Sequence, residues 1–270
     1  MAVAAAWGDA IDRLAGLVAK SLVVADVSGA TPRFRLLDTT RAYALEKLDE
    51  SGERGRIARR HGEYYRNLFE RAEGEAGARS TGEWLADYAR EIDNLRAALN
   101  WAFSPDWAFG PRGDEDLGVA LTVVALPLWM QMSLIEECRT RVEYAIDALS
   151  RGVGQSAARE LRLQAALGWS LMQIKGSVLE TRRAWSKVLE LAENLNDEEY
   201  QLRATWGLWV FHFNGGELRT ALTMARDAYE LAAKRGDPDD MCSAIAGSDH
   251  SGISASKRPS LRSLHTTKSG

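Results

Sequence analysis

Two histidines are, by residue type, the side chains best suited to acid–base catalysis or metal binding. His61 stands two positions before Glu63, and His212 stands between Phe211 and Phe213. Neither histidine has a second metal-ligating side chain three or four positions away, which is the spacing that places two ligands on one helical face. We therefore expect both histidines to be structural.

A run of three acidic residues, Asp114, Glu115 and Asp116, could bind a cation. The run stands at the predicted start of a helix, where negative side chains interact favourably with the partial positive charge of the helix dipole. Because this explanation needs no bound ion, we expect the acidic residues to stabilise the helix end rather than hold a metal.

The sequence has neither a reactive cysteine pattern nor a phosphate-binding motif that would indicate catalysis. Cys138 and Cys242 are far apart and lack CxxC spacing, so they predict neither a zinc site nor a disulfide, which suits a reducing cytoplasm. The sequence contains no GxxxxGK[ST] motif, whose backbone amides and lysine hold nucleotide phosphates. No nucleophile, base and stabilising donor cluster together, so we expect a protein that is not an enzyme and itself holds no metal or cofactor.

Tryptophans within the predicted repeats are the strongest candidates for binding a partner. Aromatic side chains carry much of the energy of many interfaces, and the sequence clusters Trp129, Trp169, Trp185, Trp206 and Trp209. Trp169 and Trp206 stand at similar positions in successive helical segments. They can either pack in a core or line a groove for a partner, and the sequence leaves both interpretations open.

The helices that carry these tryptophans recur about every forty residues. Residues 159–194 and 199–235 both read as an apolar helix, a glycine turn and a second apolar helix. Residues match at nearly constant offset, including Leu163 with Leu202, Gly168 with Gly207, and Gly176 with Gly216. Since a lone helix pair cannot bury its apolar face, this pattern predicts an all-α solenoid of stacked helix pairs.

The first part of the chain predicts a different organisation. A helical stripe at residues 7–20 leads into a β-branched run at 21–25, Gly29 and Pro32 mark a turn, and residues 33–37 alternate like a second strand. The predicted chain therefore has a first module at 1–53 with one small β-hairpin, a helical block at 54–104 whose second helix is 81–103, helical repeats at 115–240, and a Ser- and Gly-rich disordered tail at 246–270.

The charge and the apolar segments of the chain indicate which kinds of binding partner to expect. The net charge of −4 argues against binding nucleic acid through a global positive field. The apolar start at residues 1–6 has no basic leader, and the apolar run at 119–130 is interrupted by Pro127 and too short to span a bilayer. We therefore expect a soluble cytoplasmic protein that does not engage a membrane.

Two segments of the chain resemble parts of a known protein family. Residues 20–48, KSLVVADVSGATPRFRLLDTTRAYALEKL, resemble the winged-helix module that follows the nucleotide-binding domain in bacterial STAND-type ATPase regulators. Residues 84–101, WLADYAREIDNLRAALNW, continue the likeness. The chain up to about residue 240 is similar to the helical and tetratricopeptide-like sensor region of these regulators. The resemblance thus implies a partial winged helix followed by tetratricopeptide-like repeats.

The resemblance also bears on nucleotide binding. In the longer NB-ARC relatives the winged helix carries a Met-His-Asp motif that reads the bound nucleotide, and Leu36, Leu37 and Asp38 stand at that place. Only Asp38 matches, and Leu37 cannot donate a hydrogen bond. The resemblance implies that ATP or ADP binds a separate N-terminal nucleotide-binding domain and that this chain is the C-terminal part of a larger regulator. A reading frame that is truncated or frameshifted is a hypothesis that the sequence leaves open.

Three functions follow as expectations. The first is a non-catalytic sensor, in which a protein or small-molecule ligand in the solenoid groove biases an attached ATPase. The second is direct DNA binding through the winged-helix segment, with Arg33, Arg35 and Arg41 touching phosphates. The third is a stand-alone helical-repeat scaffold. A shortened solenoid also exposes an apolar face, so we expect self-association through residues 206–233.

Overall fold

The computed structural model of the protein describes residues 2–27, 32–104 and 113–234. The predicted hairpin turn at Gly29, residues 105–112 and the predicted tail at 246–270 lie outside the described residues. The elements, in chain order, are α1 (Ala2–Ala19), β1 (Val23–Asp26), β2 (Arg33–Leu36), α2 (Asp38–Glu50), α3 (Arg54–Glu75), α4 (Thr81–Tyr88), a 3₁₀ turn (Ala89–Glu91), α5 (Ile92–Ala102), α6 (Glu115–Gln131), α7 (Ile135–Ser150), α8 (Ala157–Lys175), α9 (Leu179–Leu195), α10 (Glu198–Asn214) and α11 (Leu218–Lys234).

The predicted all-α fold with one small β-hairpin is confirmed. The chain divides into two compact units, the first running to residue 58 and the second holding the helices that follow. None of the helices in the described residues is both long enough and apolar enough to cross a bilayer.

The first unit consists of α1, the hairpin and α2. Strands β1 and β2 pair antiparallel, with Val23 opposite Leu36 and Asp26 opposite Arg33. Val23 is buried, whereas every residue of β2 is exposed, and α2 has no buried side chain. Among the side chains of this unit that the structure describes, little apolar surface is therefore buried.

The second unit is a stack of helix pairs. Each helix from α5 to α11 packs on the next one in sequence, and α8 also contacts both α6 and α10. Helices α6, α8 and α10 therefore form one row, α7 and α9 connect them, and α11 packs on α10. The turns between the paired helices contain Ser133, Gly176 and Gly216, each with a positive φ of 56–77°. This left-handed conformation explains the glycines of the two regular repeats, since glycine adopts it without a steric penalty.

One helix departs from its predicted form. Residues 81–103 were expected to form one continuous helix, but a 3₁₀ turn at Ala89–Glu91 divides them into α4 and α5. Glu91 in this turn accepts hydrogen bonds from the Tyr65 hydroxyl at 3.1 Å and from Asn94 at 2.9 Å. Trp84 and Tyr88 before the turn and Leu95 and Leu99 after it are all buried, at spacings of four, seven and four that match one helical stripe.

Helix α6 is the centre of the larger core, with almost every side chain from Leu117 to Trp129 buried. It contains Pro127, which has no backbone N–H and leaves the carbonyl of Val123 without its usual helical donor. The guanidinium of Arg162 on α8 donates to this carbonyl at 3.3 Å. The proline therefore creates an acceptor through which the next repeat is attached.

Candidate functional site

The indole ring of Trp185 contacts helices of both regular repeats. Trp185 on α9 is buried, and its ring lies against Gly168 on α8 and Gly207 on α10. A Cβ on Gly168 would stand 2.9 Å from the ring, and a Cβ on Gly207 would overlap it more severely. The matched glycines of the sequence are thus explained by packing. The Trp185 indole N–H has no acceptor among the described residues, so its contribution is the filled volume.

The two tryptophans proposed for a groove lie in different surroundings. Gly168 on α8 and Gly207 on α10 occupy equivalent positions of the two repeats. Trp169 comes one residue after Gly168, whereas Trp206 comes one residue before Gly207, so the two tryptophans are not equivalent. Trp169 is partly buried and packs on the cluster built around Trp185, Val188 and Leu208. Trp206 is also partly buried, but on another side of its helix. Trp206 is therefore the better placed of the two to meet a partner.

The side of α10 that contains Trp206 carries further aromatic residues. Arg203, Trp206, Val210 and Phe213 recur at spacings of three, four and three, which places them along one helical stripe. Phe213 is 51% exposed, and its ring stacks with that of Trp209 at a centroid distance of 5.4 Å. We call these residues, Arg203, Trp206, Trp209, Val210 and Phe213, the α10 aromatic face.

Neighbouring groups give this face its chemical character. Arg203 bonds to Glu199 at 2.6 Å and lies over the ring of Tyr200 at 5.0 Å. On α8, which packs beside α10, Ile174 stands at the position equivalent to Phe213 and is also exposed. This surface can thus stack on aromatic groups of a partner or cover its apolar groups, with the charged side chains of Arg203 and Glu199 at its edge. Phe213 was not among the residues predicted from the sequence. Its spacing of seven residues from Trp206, which places both side chains on one side of a helix, was the signal that could have identified it.

The histidines have ordinary structural partners. His212 Nδ1 lies 2.9 Å from a carboxylate oxygen of Glu217 across the turn between α10 and α11. The ring of His61 packs on that of Tyr65 at a centroid distance of 4.7 Å. Among the residues that the structure describes, no group of three His, Cys, Asp or Glu side chains could hold a metal ion.

The acidic run begins α6, as the sequence indicated. Asp114 is the N-cap residue, and its side chain accepts a hydrogen bond from the backbone N–H of Leu117 at 3.1 Å. Each carboxylate also pairs with an arginine from another part of the second unit: Asp114 with Arg59 at 2.5 Å, Glu115 with Arg151 at 2.9 Å, and Asp116 with Arg159 at 2.8 Å. The acids therefore connect helices as well as capping one.

Cys138 is fully buried within the large core. Burial raises the pKa of its thiol to about 12, because the charged thiolate is disfavoured away from water. The side chain is therefore a protonated core residue at neutral pH rather than a nucleophile. Cys242 lies outside the described residues.

The residues linked to DNA and nucleotide binding all belong to the first unit. Arg33 and Arg35 are exposed on β2, two positions apart and thus on the same side of the strand, and Arg41 is exposed in the first turn of α2. Leu36 and Leu37 are exposed, and Asp38 is the first residue of α2. The structure thus presents all three arginines at the surface.

The fold is that of an all-α helical-repeat protein. Sequence comparisons identify curated proteins that match part of the chain. Over 93 residues, 34% of its length, the chain is 47% identical to proteins described as putative HTH-type transcriptional regulators of Mycobacterium tuberculosis and Mycobacterium bovis. The matched segment covers 10% of each regulator, so the chain spans about a tenth of the curated relatives it matches. Neither a protein family model nor a solved structure gave a significant match to the chain.

Proposed function

We propose that this chain is the sensor and protein-interaction part of a cytoplasmic transcriptional regulator and that it has no catalytic activity of its own. The observation that carries the proposal is the 47% identity to the mycobacterial regulators over 93 residues. The helical-repeat fold supports it, because stacked helix pairs present extended surfaces suited to holding a protein or small-molecule ligand.

The finer form of the proposal follows the resemblance to STAND-type regulators. Residues 1–53 would be a partial winged helix and residues 115–240 tetratricopeptide-like repeats. ATP or ADP would bind a nucleotide-binding domain elsewhere in the regulator, since this sequence has no phosphate-binding loop and carries Leu37 where the nucleotide sensor would need a donor. DNA would likewise be contacted mainly by another domain.

The α10 aromatic face is the proposed ligand surface. Trp206 and Phe213 offer rigid aromatic area, which costs little conformational entropy when a partner covers it. Arg203 at the edge supplies a charge that favours an acidic or carbonyl-bearing group. A ligand held here would regulate transcription only by binding the active and resting states of the regulator with different affinity.

The proposal is tested in the organism that encodes the chain. Deleting the coding sequence should change the transcript levels of a defined set of genes, and the wild-type sequence should restore them. The double variant Trp206→Ala and Phe213→Ala should fail to restore them, because it removes the aromatic surface while leaving the buried core residues in place.

The matched control is Tyr64→Ala, which removes an exposed aromatic residue from α3 and should restore transcript levels fully. Circular dichroism of the purified variants verifies that each remains helical. An unchanged transcriptome after deletion would contradict the regulatory role, and full restoration by the double variant would contradict the assignment of the ligand surface.

A further inference from the structure

Helix α11 is less buried than α9, the corresponding helix of the preceding repeat, at positions by which α9 receives α10. Residues forty apart in sequence stand at equivalent positions of the two helices. Trp185 on α9 is buried against Gly207 of α10, whereas its equivalent Ala225 is only partly buried. Leu189 is partly buried in the same cluster, whereas its equivalent Tyr229 is 63% exposed.

This contrast does not reflect a general lack of packing in α11. Thr181 and its equivalent Ala221 are both buried, and so are Val188 and its equivalent Ala228. The two helices differ in their neighbours: α9 packs on both α8 and α10, whereas α11 packs on α10 within the part of the chain that the structure describes. The position that α10 occupies beside α9 therefore has no described counterpart beside α11.

The sequence that follows α11 repeats the pattern that begins α10. Residues 237–247 read DPDDMCSAIAG, and residues 197–207, forty positions earlier, read DEEYQLRATWG. Helix α8 carries the same alanine and glycine, as Ala165 and Gly168. The matching pairs are Asp197 with Asp237, Glu199 with Asp239, Leu202 with Cys242, Ala204 with Ala244, and Gly207 with Gly247.

The same segment contains the residues that favour the start of a helix. Between α9 and α10, Asn196 has a positive φ of 53°, and the side chain of Asp197 caps α10. The equivalent positions hold Gly236, which adopts a positive φ without a steric penalty, and Asp237, a preferred N-cap residue. Pro238 follows at the first helical position, where proline is favoured, and the next two residues are acidic.

The size of the side chains also suits a close contact with α11. Ala204 is fully buried in the cluster that includes Leu189, so the equivalent contact would bring Ala244 beside Tyr229. A small side chain there leaves room for the phenol ring. A helix over residues 237–247 would be about 16 Å long, which is enough to cover α11 from Ala225 to Tyr229.

We propose that residues 237–247 form a helix that packs on this side of α11, as α10 packs on α9. The helix would end at Gly247, because Ser248 and Asp249 stand where α10 has the apolar residues Leu208 and Trp209. The proposal extends the predicted repeats from residue 240 to 247 and moves the start of the predicted disordered tail to 248. It does not depend on the regulatory role.

The second cysteine of the chain provides a direct test. Cys242 stands at the position equivalent to Leu202, which is fully buried. In the native full chain, its thiol should react with iodoacetamide at least about tenfold more slowly than in a free peptide of residues 235–247. Cys138, which is buried in the large core, reports whether the chain as a whole stays folded. Mass spectrometry distinguishes the two labelled cysteines.

Matched substitutions test which surface protects the thiol. Ala244→Asp places a charge at the contact with α11 and should speed the labelling of Cys242 by at least about tenfold. Ala246→Asp makes the same change at the position equivalent to Trp206, which lies on another side of the helix, and should alter the rate by less than about threefold. Tyr229→Glu on α11 should also speed the labelling, while Cys138 stays unreactive in every variant.

Labelling of Cys242 at the rate of the free peptide would overturn the proposal. Protection that increases with chain concentration would overturn it as well, because a second copy of the chain would then supply the contact. An equal effect of Ala244→Asp and Ala246→Asp, or no effect of Tyr229→Glu, would show that Cys242 is protected by a surface other than this side of α11.

Discussion

Arg96 on α5 and Glu137 on α7 form an ion pair that lowers the pKa of the glutamate. Arg96 Nε donates to Glu137 Oε1 at 2.9 Å, and Arg96 Nη2 donates to Oε2 at 2.6 Å, so the contact is bidentate. This hydrogen bonding to Arg96 holds the pKa of Glu137 below its ordinary value, while partial burial acts in the opposite direction. The pair therefore joins the helical block to the first repeat through a charge-assisted contact.

The lowered pKa determines how stability should depend on pH. The pair contributes fully above the ordinary carboxyl pKa of about 4.3, and its contribution is lost as the pH falls through the lower folded value. Arg96→Gln should thus reduce the free energy of unfolding by about 1 kcal/mol at neutral pH and by clearly less near pH 3. Urea unfolding at both pH values measures this difference.

The control is Arg66→Gln, which removes a longer and more exposed pair with Glu70 at 3.4 Å. Its effect should be a few tenths of a kcal/mol or less. An equal loss for Arg96→Gln at neutral and acidic pH would show that the pair does not act through the charge of Glu137.

At the scale of elements, the contact between α8, α9 and α10 depends on the absence of a side chain at Gly168 and Gly207. The ring of Trp185 fills the space beside both glycines. Gly207→Ala should therefore destabilise the protein by about 1–3 kcal/mol, because the added methyl group overlaps the indole. Gly168→Ala should cost less, since its Cβ would stand farther from the ring. Thermal or chemical unfolding measures both effects.

Gly74→Ala in α3 is the matched control, because a Cβ there would meet no atom within 4 Å. That change should raise stability by up to about 1 kcal/mol through helix propensity. Replacing Trp185 with Phe should recover part of the loss caused by Gly207→Ala. If Gly207→Ala were as stabilising as Gly74→Ala, the packing between α9 and α10 would be looser than the structure indicates.

At the scale of the whole molecule, the two units differ in how much they bury. Helix α2 in the first unit has no buried side chain, whereas α6 in the second is buried along most of its length. Local opening costs little free energy where few apolar contacts are lost. Backbone amides of α2 should therefore exchange with deuterium orders of magnitude faster than those of α6.

Hydrogen exchange followed by mass spectrometry tests this expectation on the full chain. Helix α3 supplies an internal reference, because Tyr65, Phe69 and Ala72 are buried while other parts of the helix are exposed. Its central amides should exchange at an intermediate rate. Protection of α2 equal to that of α6 would show that some other part of the protein covers the first unit.

The sequence by itself determined the helical class, the hairpin and the forty-residue repeat. These features depend on local patterns: apolar residues at helical spacing from Leu161 to Leu171, and glycines at turns such as Gly176 and Gly216 that need a positive φ. The sequence also indicated that Asp114 begins a helix, because capping acts within one turn.

Only the tertiary structure decided which side chains share a surface. It divided residues 81–103 at the turn where Glu91 meets Tyr65, packed the partly buried Trp169 against a core cluster, placed Trp206 on another side of its helix, and left Leu222 exposed on α11. Each outcome depends on a partner far away in the sequence, so helical spacing can define an apolar side but cannot say which other element, if any, will cover it.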